Sequence, residues 1–348
     1  MVRIADVAEL AGVSKATASR ALSGRDHVAE ATRKRVVEAA ESLQYAPSTA
    51  AVGLATGRTR RIGVLMPTVS RWFFSQVLEG VQAALVKHGL DLMLYCALPG
   101  TPARERIFRD FMRRKRMDGL IAIGIESSDP EWERLRQIDA PIVGVVGTTP
   151  GSSLVAIDDT HAAMRATEHL LALGHREVVF LGGEARDPGA ANVHRDRFTG
   201  YTRAMTAAGL GASVRHVPAP STVPGGYAAA VDALGSQDRP TGIVGVCDEV
   251  AIGAIIAARR LGLLVPGHVS VTGIDDHEYA EMFSLTTLSQ KPRAQGRAAV
   301  DLLLARIEDP SLAPSTTSLK ARLIVRSSTL ALDASVAAPG TRDGSHGP

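Results

Sequence analysis

Apolar residues recur with a helical period at the start of the chain. Ile4, Val7, Ala8 and Ala11 fall at i, i+3, i+4 and i+7, the stripe of an amphipathic helix. Gly12 follows, the residue most at ease in the left-handed turn that ends a helix. Ser14 stands where an N-cap is needed, and predicts a second helix over Lys15 to Leu22. A third run, Glu30 to Leu43, places Val36, Ala39, Ala40 and Leu43 on one face. Three short helices with a tight glycine turn between the first two make a helix-turn-helix layout, suited to the major groove of DNA.

Tyr45-Ala46-Pro47 closes this unit, because proline cannot continue a helix and restricts the residue before it. Ser48 to Thr56 is apolar, small and about two turns long, too short to be stable as an isolated helix. From Ile62 the pattern changes. Ile62 to Pro67 reads as a buried strand, followed by a helix from Phe73 to His88, a strand over Asp91 to Cys96 and a helix through Arg113. Gly119 to Ile125, Pro141 to Val146 and Val155 to Ile157 supply further short apolar runs. A second series follows the helix Ala162 to Leu173, with strands at Val178 to Leu181, Val214 to Val217, Gly242 to Val246 and Val269 to Ile274. Strands alternating with helices predict doubly wound parallel sheets. Two series predict two lobes with a cleft at the carboxyl ends of their strands. The fold class expected is therefore α/β: a small all-α head joined by a hinge to a two-lobed core. The expected boundaries are 1–46 for the head, 47–61 for hinge and linker, 62–332 for the core and 333–348 for a disordered, Gly- and Pro-rich tail.

Charge sharpens this division. The 348 residues carry a formal charge of only +3, but residues 1–61 hold 10 Lys/Arg against 6 Asp/Glu, and the rest 29 against 30. All the excess positive charge sits on the head, as expected of a unit that meets phosphate. Hydrophobic residues make up 45% and aromatics only 4%, so Ala, Val and Leu must fill most of the core. Cys96 and Cys247 lie in apolar stretches far apart, and buried free thiols are expected for both. With no apolar leader region and no run long enough to span a bilayer, a cytoplasmic location without membrane contact is expected. The basic run Arg113-Arg114-Lys115-Arg116 reads as the solvated end of a helix, where cations suit the dipole.

Several motifs in fixed order resemble the LacI/GalR family of bacterial transcription regulators. They are Ile4 to Ser14 with Thr17 and Ser19-Arg20, Thr32-Arg33 with Val36, and Leu43 to Pro47. Further along come Asp158-Asp159, His169-Leu170, Leu173-Gly174-His175-Arg176, Arg197-Phe198-Thr199-Gly200-Tyr201, Gly273-Ile274-Asp275-Asp276, and Leu285 to Leu288 with Gln290. The resemblance runs from about Ile4 to Leu330 and implies a homodimeric, effector-controlled repressor bound to a palindromic operator in double-stranded DNA; a tetramer stays open.

In that family the second helix lies in the major groove, which makes Lys15, Ala16 and Arg20 base-reading candidates and Ser14, Thr17 and Ser19 phosphate contacts. On helical spacing alone, Arg20 is equally a solvated surface arginine. Ser48 to Thr56 matches the hinge helix, with Ala51 and Leu54 as DNA contacts and Leu54 as a minor-groove wedge. Gly53 departs from the pattern and costs that helix about 1 kcal/mol relative to Ala. Arg3 and Ala29 replace the usual hydroxyl caps of the first and third helices.

The two-lobed body resembles periplasmic sugar-binding proteins, and the resemblance implies a small polar effector, a sugar or sugar derivative. The effector-binding candidates are Phe73, Phe74, Arg195, Arg197, Asp248 and Asp275. Each has a plainer alternative: Asp275 and Arg197 pairing with each other, Asp248 capping a helix near Val250, the phenylalanines filling core. Cys247 and Ser221 stand where the family usually has an Asn and a ring-stacking aromatic. Both departures remove familiar sugar contacts and leave open an unusual sugar or a ligand that is not a sugar, while Arg71 and Trp72 beside the cleft can compensate in part. No Walker loop, nucleophile elbow, His-Glu-x-x-His or metal-spaced Cys/His cluster is present. No cofactor, metal or catalytic activity is therefore expected. The competing reading is a sugar-binding protein, cytoplasmic or secreted, with no DNA role.

Overall fold

A computed structural model of the chain describes residues 2–22, 28–45, 58–111, 117–147, 151–183 and 191–332. The hinge segment with Ala51 and Leu54, the basic run at 113–116 and the tail from 333 lie outside the described residues.

The head is three helices, α1 (Ile4–Leu10), α2 (Lys15–Leu22) and α3 (Glu30–Ser42). Their shared core is small: Val7, Ala8 and Ala11 of the first pack on Ala18 and Ala21 of the second and Val36, Ala39 and Ala40 of the third. Alanine at these crossings lets the helices approach closely. Gly12 takes φ +63° in the turn. The Ser14 hydroxyl accepts from the Thr17 amide at 3.1 Å, the capping expected from sequence. Arg3 offers no side-chain cap, but its own amide donates to Asp6 Oδ2 at 2.8 Å, so an acid three residues on closes that end instead. Ala29 has no side-chain substitute.

The core is two six-stranded sheets. In the first lobe β1 (Arg61–Met66), β2 (Asp91–Cys96), β3 (Gly119–Ile123), β4 (Ile142–Val145), β5 (Ser153–Ile157) and β11 (Thr316–Leu319) lie in the order β2-β1-β3-β4-β5-β11, all parallel. In the second, β6 (Val178–Leu181), β7 (His216–Val217), β8 (Gly242–Gly245), β9 (Ser270–Asp275), β10 (Thr286–Ser289) and β12 (Arg322–Ile324) repeat that winding as β7-β6-β8-β9-β10-β12. Only the β10–β12 pair is antiparallel. Every residue of β3, β4, β6 and β8 is buried, as strands covered by helices on both faces must be.

The helices of the first lobe are α4 (Trp72–Lys87), α5 (Pro102–Arg106), which runs on into a π-helical turn over Ile107–Phe111, and α6 (Asp129–Arg136). Those of the second are α7 (Asp159–Ala172), α8 (Ala191–Ala207), α9 (Val223–Gly235) and α10 (Asp248–Arg260). The chain crosses between lobes three times: after β5, after β10 and between β11 and β12. The second crossing delivers α11 (Pro292–Glu308), which returns to the first lobe and packs on α4. Gly80 and Gly296 make that contact possible, since a Cβ on either would collide with a carbonyl of the opposite helix.

Two expectations change. The strand expected over Val214 to Val217 shrinks to two residues at the sheet edge, because only His216 and Val217 find a partner in β6. Both thiols are free, but only Cys247 is buried; Cys96 is exposed, because β2 is an edge strand whose alternation turns Leu94 and Cys96 outward.

Candidate functional site: a head surface and an interlobe cleft

On α2 the side chains of Lys15, Ala16 and Arg20 are exposed, with Ser14 beside them, whereas Thr17 and Ser19 are half-buried. Their opposite face, Ala18 and Ala21, is spent on the head's core. Arg20 Nε donates to the Ala16 carbonyl at 3.2 Å, one turn back along the helix. Ser14 and Thr17 share a hydroxyl–hydroxyl bond at 2.9 Å. Lys15, Ala16 and Arg20 thus make up the solvent side of one short helix, mostly polar, with Ser14 at its N-cap and Thr17 and Ser19 on its flanks.

The cleft lies between the lobes, at the carboxyl ends of their strands. Phe73 and Phe74, at the start of α4, form a T-shaped pair with ring centres 5.9 Å apart and line its first-lobe wall with Val146. Gly124 takes φ +58°, and a Cβ there would strike the Phe74 ring. Second-lobe residues supply the polar wall: His194 and Arg197 from α8, Ser221 before α9, Cys247 before α10, Asp275 at the end of β9 and Gln290 after β10.

Arg197 is buried and held from two sides. Its Nε donates to Asp159 Oδ1 at 2.8 Å and its Nη1 to the Val246 carbonyl at 2.7 Å. Asp275 lies 3.9 Å from Arg197 Nη1, and its Oδ1 accepts from Gln290 Nε2. Arg197 therefore serves Asp159 first and Asp275 second. Burial pushes the Asp275 carboxyl above the usual range; Arg197 opposes this and the carboxylate of Asp248 reinforces it. Burial likewise raises Asp159, against the pull of Arg197, and pushes the Cys247 thiol up to about 12. Cys247 is therefore a protonated wall residue.

Strain concentrates here. Asp275 has φ +141° and Val146 φ +57°, unfavourable conformations for residues with a Cβ that persist only where the surroundings enforce them. Both sit just where a strand ends at the cleft.

Three ties cross the mouth. Arg71 pairs with Glu249 at 2.9 Å, the Trp72 ring lies 4.5 Å from that of His277, and Glu126 Oε1 accepts from the Asn192 amide at 2.6 Å. Arg104 sets the last of these from below. Buried, it grips Glu131 through two nitrogens and donates to the Glu126 carbonyl at 2.8 Å.

Four of the six effector candidates, Phe73, Phe74, Arg197 and Asp275, line this one cavity. The other two do not. Arg195 is exposed and lies 3.9 Å from neighbouring Asp196, because two residues along a helix is a turn of about 200° away from Arg197. Asp248 is wholly buried beneath the cleft. It accepts from the His277 amide at 2.8 Å and the Thr287 hydroxyl at 2.6 Å, tying α10 to β9 and β10, and Gly273 leaves it the room. Glu126 and His194 join the wall without having been singled out by sequence. His194 does carry a signal, since it precedes Arg197 by three and shares its helix face; it meets Ser221 Oγ at 3.1 Å. Glu126 follows a buried strand with no local signal of its own. Among the described residues no group of three or more His, Cys, Asp and Glu could hold a metal ion, and no helix is long and apolar enough to cross a membrane.

A helix-turn-helix head carried with a two-lobed binding core defines a class of regulatory protein. Residues 3–48 match the model of bacterial regulatory proteins, lacI family, and residues 167–329 that of a periplasmic binding protein-like domain. The HTH-type transcriptional repressor PurR of Vibrio vulnificus is 33% identical over 333 residues, covering 94% of this chain and 98% of that one. Among solved structures, the Lac repressor dimer bound to operator and the anti-inducer ONPF superposes with a TM-score of 0.84 at 26% identity, covering 95% of this chain and 99% of that one. A LacI family regulator from Enterococcus faecium with bound ribose gives 0.71 at 26% identity over 78% of this chain and all of that one. The chain belongs to the lacI family of bacterial regulatory proteins.

Proposed function

We propose that the protein is a homodimeric transcriptional repressor of the cytoplasm, whose heads read a palindromic operator under control of a small molecule in the interlobe cleft. The observation that carries this reading is the pairing, in one chain, of a polar strip on α2 with a cavity lined by both lobes. Lys15, Ala16 and Arg20 read bases and Ser14, Thr17 and Ser19 hold phosphates. Residues 1–46 act as the head, 47–61 as hinge and linker, with Ala51 and Leu54 in the minor groove, and 62–332 as the effector core.

The effector is a neutral, hydroxylated ring such as a sugar or sugar derivative. Arg71 and Arg197 already face Glu249 and Asp159, which favours a neutral ligand over an anion. Glu126 and Asp275 can accept hydrogen bonds from ligand hydroxyls, and Phe73 and Phe74 offer an apolar face. The cavity between them offers about 90 Å³ of free space and is lined by both lobes.

The test is selection of duplexes from a random library by the full-length protein, then binding over a salt series and a metabolite panel. The reading expects one palindrome, bound with a steep salt dependence and shifted by a single metabolite. Binding indifferent to sequence, with a metabolite still held in the cleft, would instead make the protein a binding module without a DNA role.

A further inference from the structure

Residues 58–61 lead from the hinge segment into β1, and one side chain dominates their surroundings. Asp118, the residue before β3, accepts three hydrogen bonds from this linker. Its Oδ1 takes the Thr59 amide at 2.7 Å and the Thr59 hydroxyl at 2.9 Å, and its Oδ2 takes the Arg60 amide at 2.7 Å. Arg60 is held at φ +57°, a conformation that a non-glycine residue keeps only under constraint. The Arg60 guanidinium donates to the Gly89 carbonyl, in the turn between α4 and β2, at 2.9 Å. Arg58 reaches the Ile307 carbonyl, near the end of α11, at 3.3 Å. The linker is thus fastened to three separate elements of the first lobe, and its backbone is turned at Arg60.

The far ends of the same strands meet the cleft. β3 starts at Gly119, beside Asp118, and is followed by Gly124 and Glu126 in the cavity wall. β1 starts at Arg61 and leads to Arg71, whose guanidinium crosses to Glu249. Two buried strands, rising about 3.3 Å per residue, join the linker clamp to the cleft as stiff rods.

We propose that Asp118 is a positioning residue: it fixes the direction in which the linker and head leave the core, so that two heads of a dimer meet both halves of an operator together. This rests on the DNA-binding reading above. A fixed exit raises the effective concentration of the second head at its half-site, and has no bearing on how tightly one head grips one half-site.

The test uses full-length protein and two probes: the palindrome recovered from the random library, and one isolated half of it. Asp118→Asn keeps the size of the side chain but turns an amide donor toward the linker's own donors. We expect it to weaken palindrome binding at least tenfold, to leave half-site binding within twofold, and to leave the thermal midpoint of the core within a few degrees. Arg60→Gly, which keeps every core residue and relieves the strain of the turn but removes the guanidinium's tie to Gly89 and frees the backbone, should weaken palindrome binding several-fold in the same selective way. Hydrogen exchange at the Thr59 and Arg60 amides should quicken in Asp118→Asn while β1 and β3 stay protected. The inference is overturned if both probes weaken together, or if the palindrome is bound as before. A wild-type protein that recovers no preferred duplex at all sinks the DNA-binding reading itself, which the variants cannot do.

Discussion

The polar strip on α2 and the polar wall of the cleft use the same kinds of side chain in opposite ways. On the head, Lys15 and Arg20 stand in solvent on a helix whose other face is committed to packing. In the cleft, Arg197 and Asp275 are buried, and each is held by groups from distant parts of the chain. Lys15 and Arg20 can therefore change at little cost to the head's fold, whereas the cleft's polar groups are fold and site at once. Ligand recognition and the integrity of the second lobe cannot be varied independently there.

Arg197→Ala presses hardest on this contrast. It strands the buried Asp159 carboxylate and the Val246 carbonyl, and should destabilise the second lobe by about 3–5 kcal/mol, read as a lowered urea midpoint. A loss below about 1 kcal/mol, the scale of an exposed pair, would show that the cleft is as free of structural duty as the head.

Asp275→Asn separates the two roles. Turning an amide donor toward a ligand hydroxyl that the carboxyl serves should weaken effector affinity by about 1–3 kcal/mol, measured by calorimetry with the metabolite found in the panel, while DNA binding persists. Stability should move the other way with pH. Burial raises the folded-state pKa of Asp275 above its unfolded value, so the wild type loses stability as pH rises from about 4 through that raised value. The variant escapes this loss. At neutral pH it should be at least as stable as wild type, with the advantage shrinking toward about pH 4.

Arg20→Ala should cost about 1–3 kcal/mol of discrimination at one base pair and leave the melting temperature unchanged. A shift in melting comparable to that of a cleft variant would erase the distinction between the two regions. The smallest effect is expected at the mouth. Arg71→Ala removes a partly exposed ion pair worth about 1 kcal/mol or less, and its mark should be a change in Trp72 fluorescence as the lobes part.

Much of this architecture is legible in the order of residues alone. The period of Ile4, Val7, Ala8 and Ala11 locates the head, and two alternating series locate the lobes, because buried faces impose periodicity on neighbouring residues. Arg197 and Asp275 stand out through motifs, and the structure brings them to one cavity. Arg195 misleads because closeness in sequence says nothing of closeness across a helix. Asp248 misleads because a strand-end acid can cap and brace as well as contact a ligand; its two donors come from residues 29 and 39 positions away. Cys96 misleads because an apolar stretch marks a strand without telling whether that strand is central or at the edge.

By itself, the sequence determined the identity and order of the elements, the basic character of the head, the exposed face of α2 and membership in a family. The first three follow from local spacing and composition, which any segment carries with it, and the family from the order of motifs along the chain. Only the tertiary structure decided which wall of the cleft is apolar and which polar, that Arg197 answers to Asp159 before Asp275, and that Arg71, Trp72 and Glu126 tie the lobes together. It also decided that Asp118 grips the linker 58 residues before it. Such contacts join positions whose separation is set by crossover connections and the winding of two sheets, and a carboxylate finds its partners only when the fold has removed the water that would otherwise serve it.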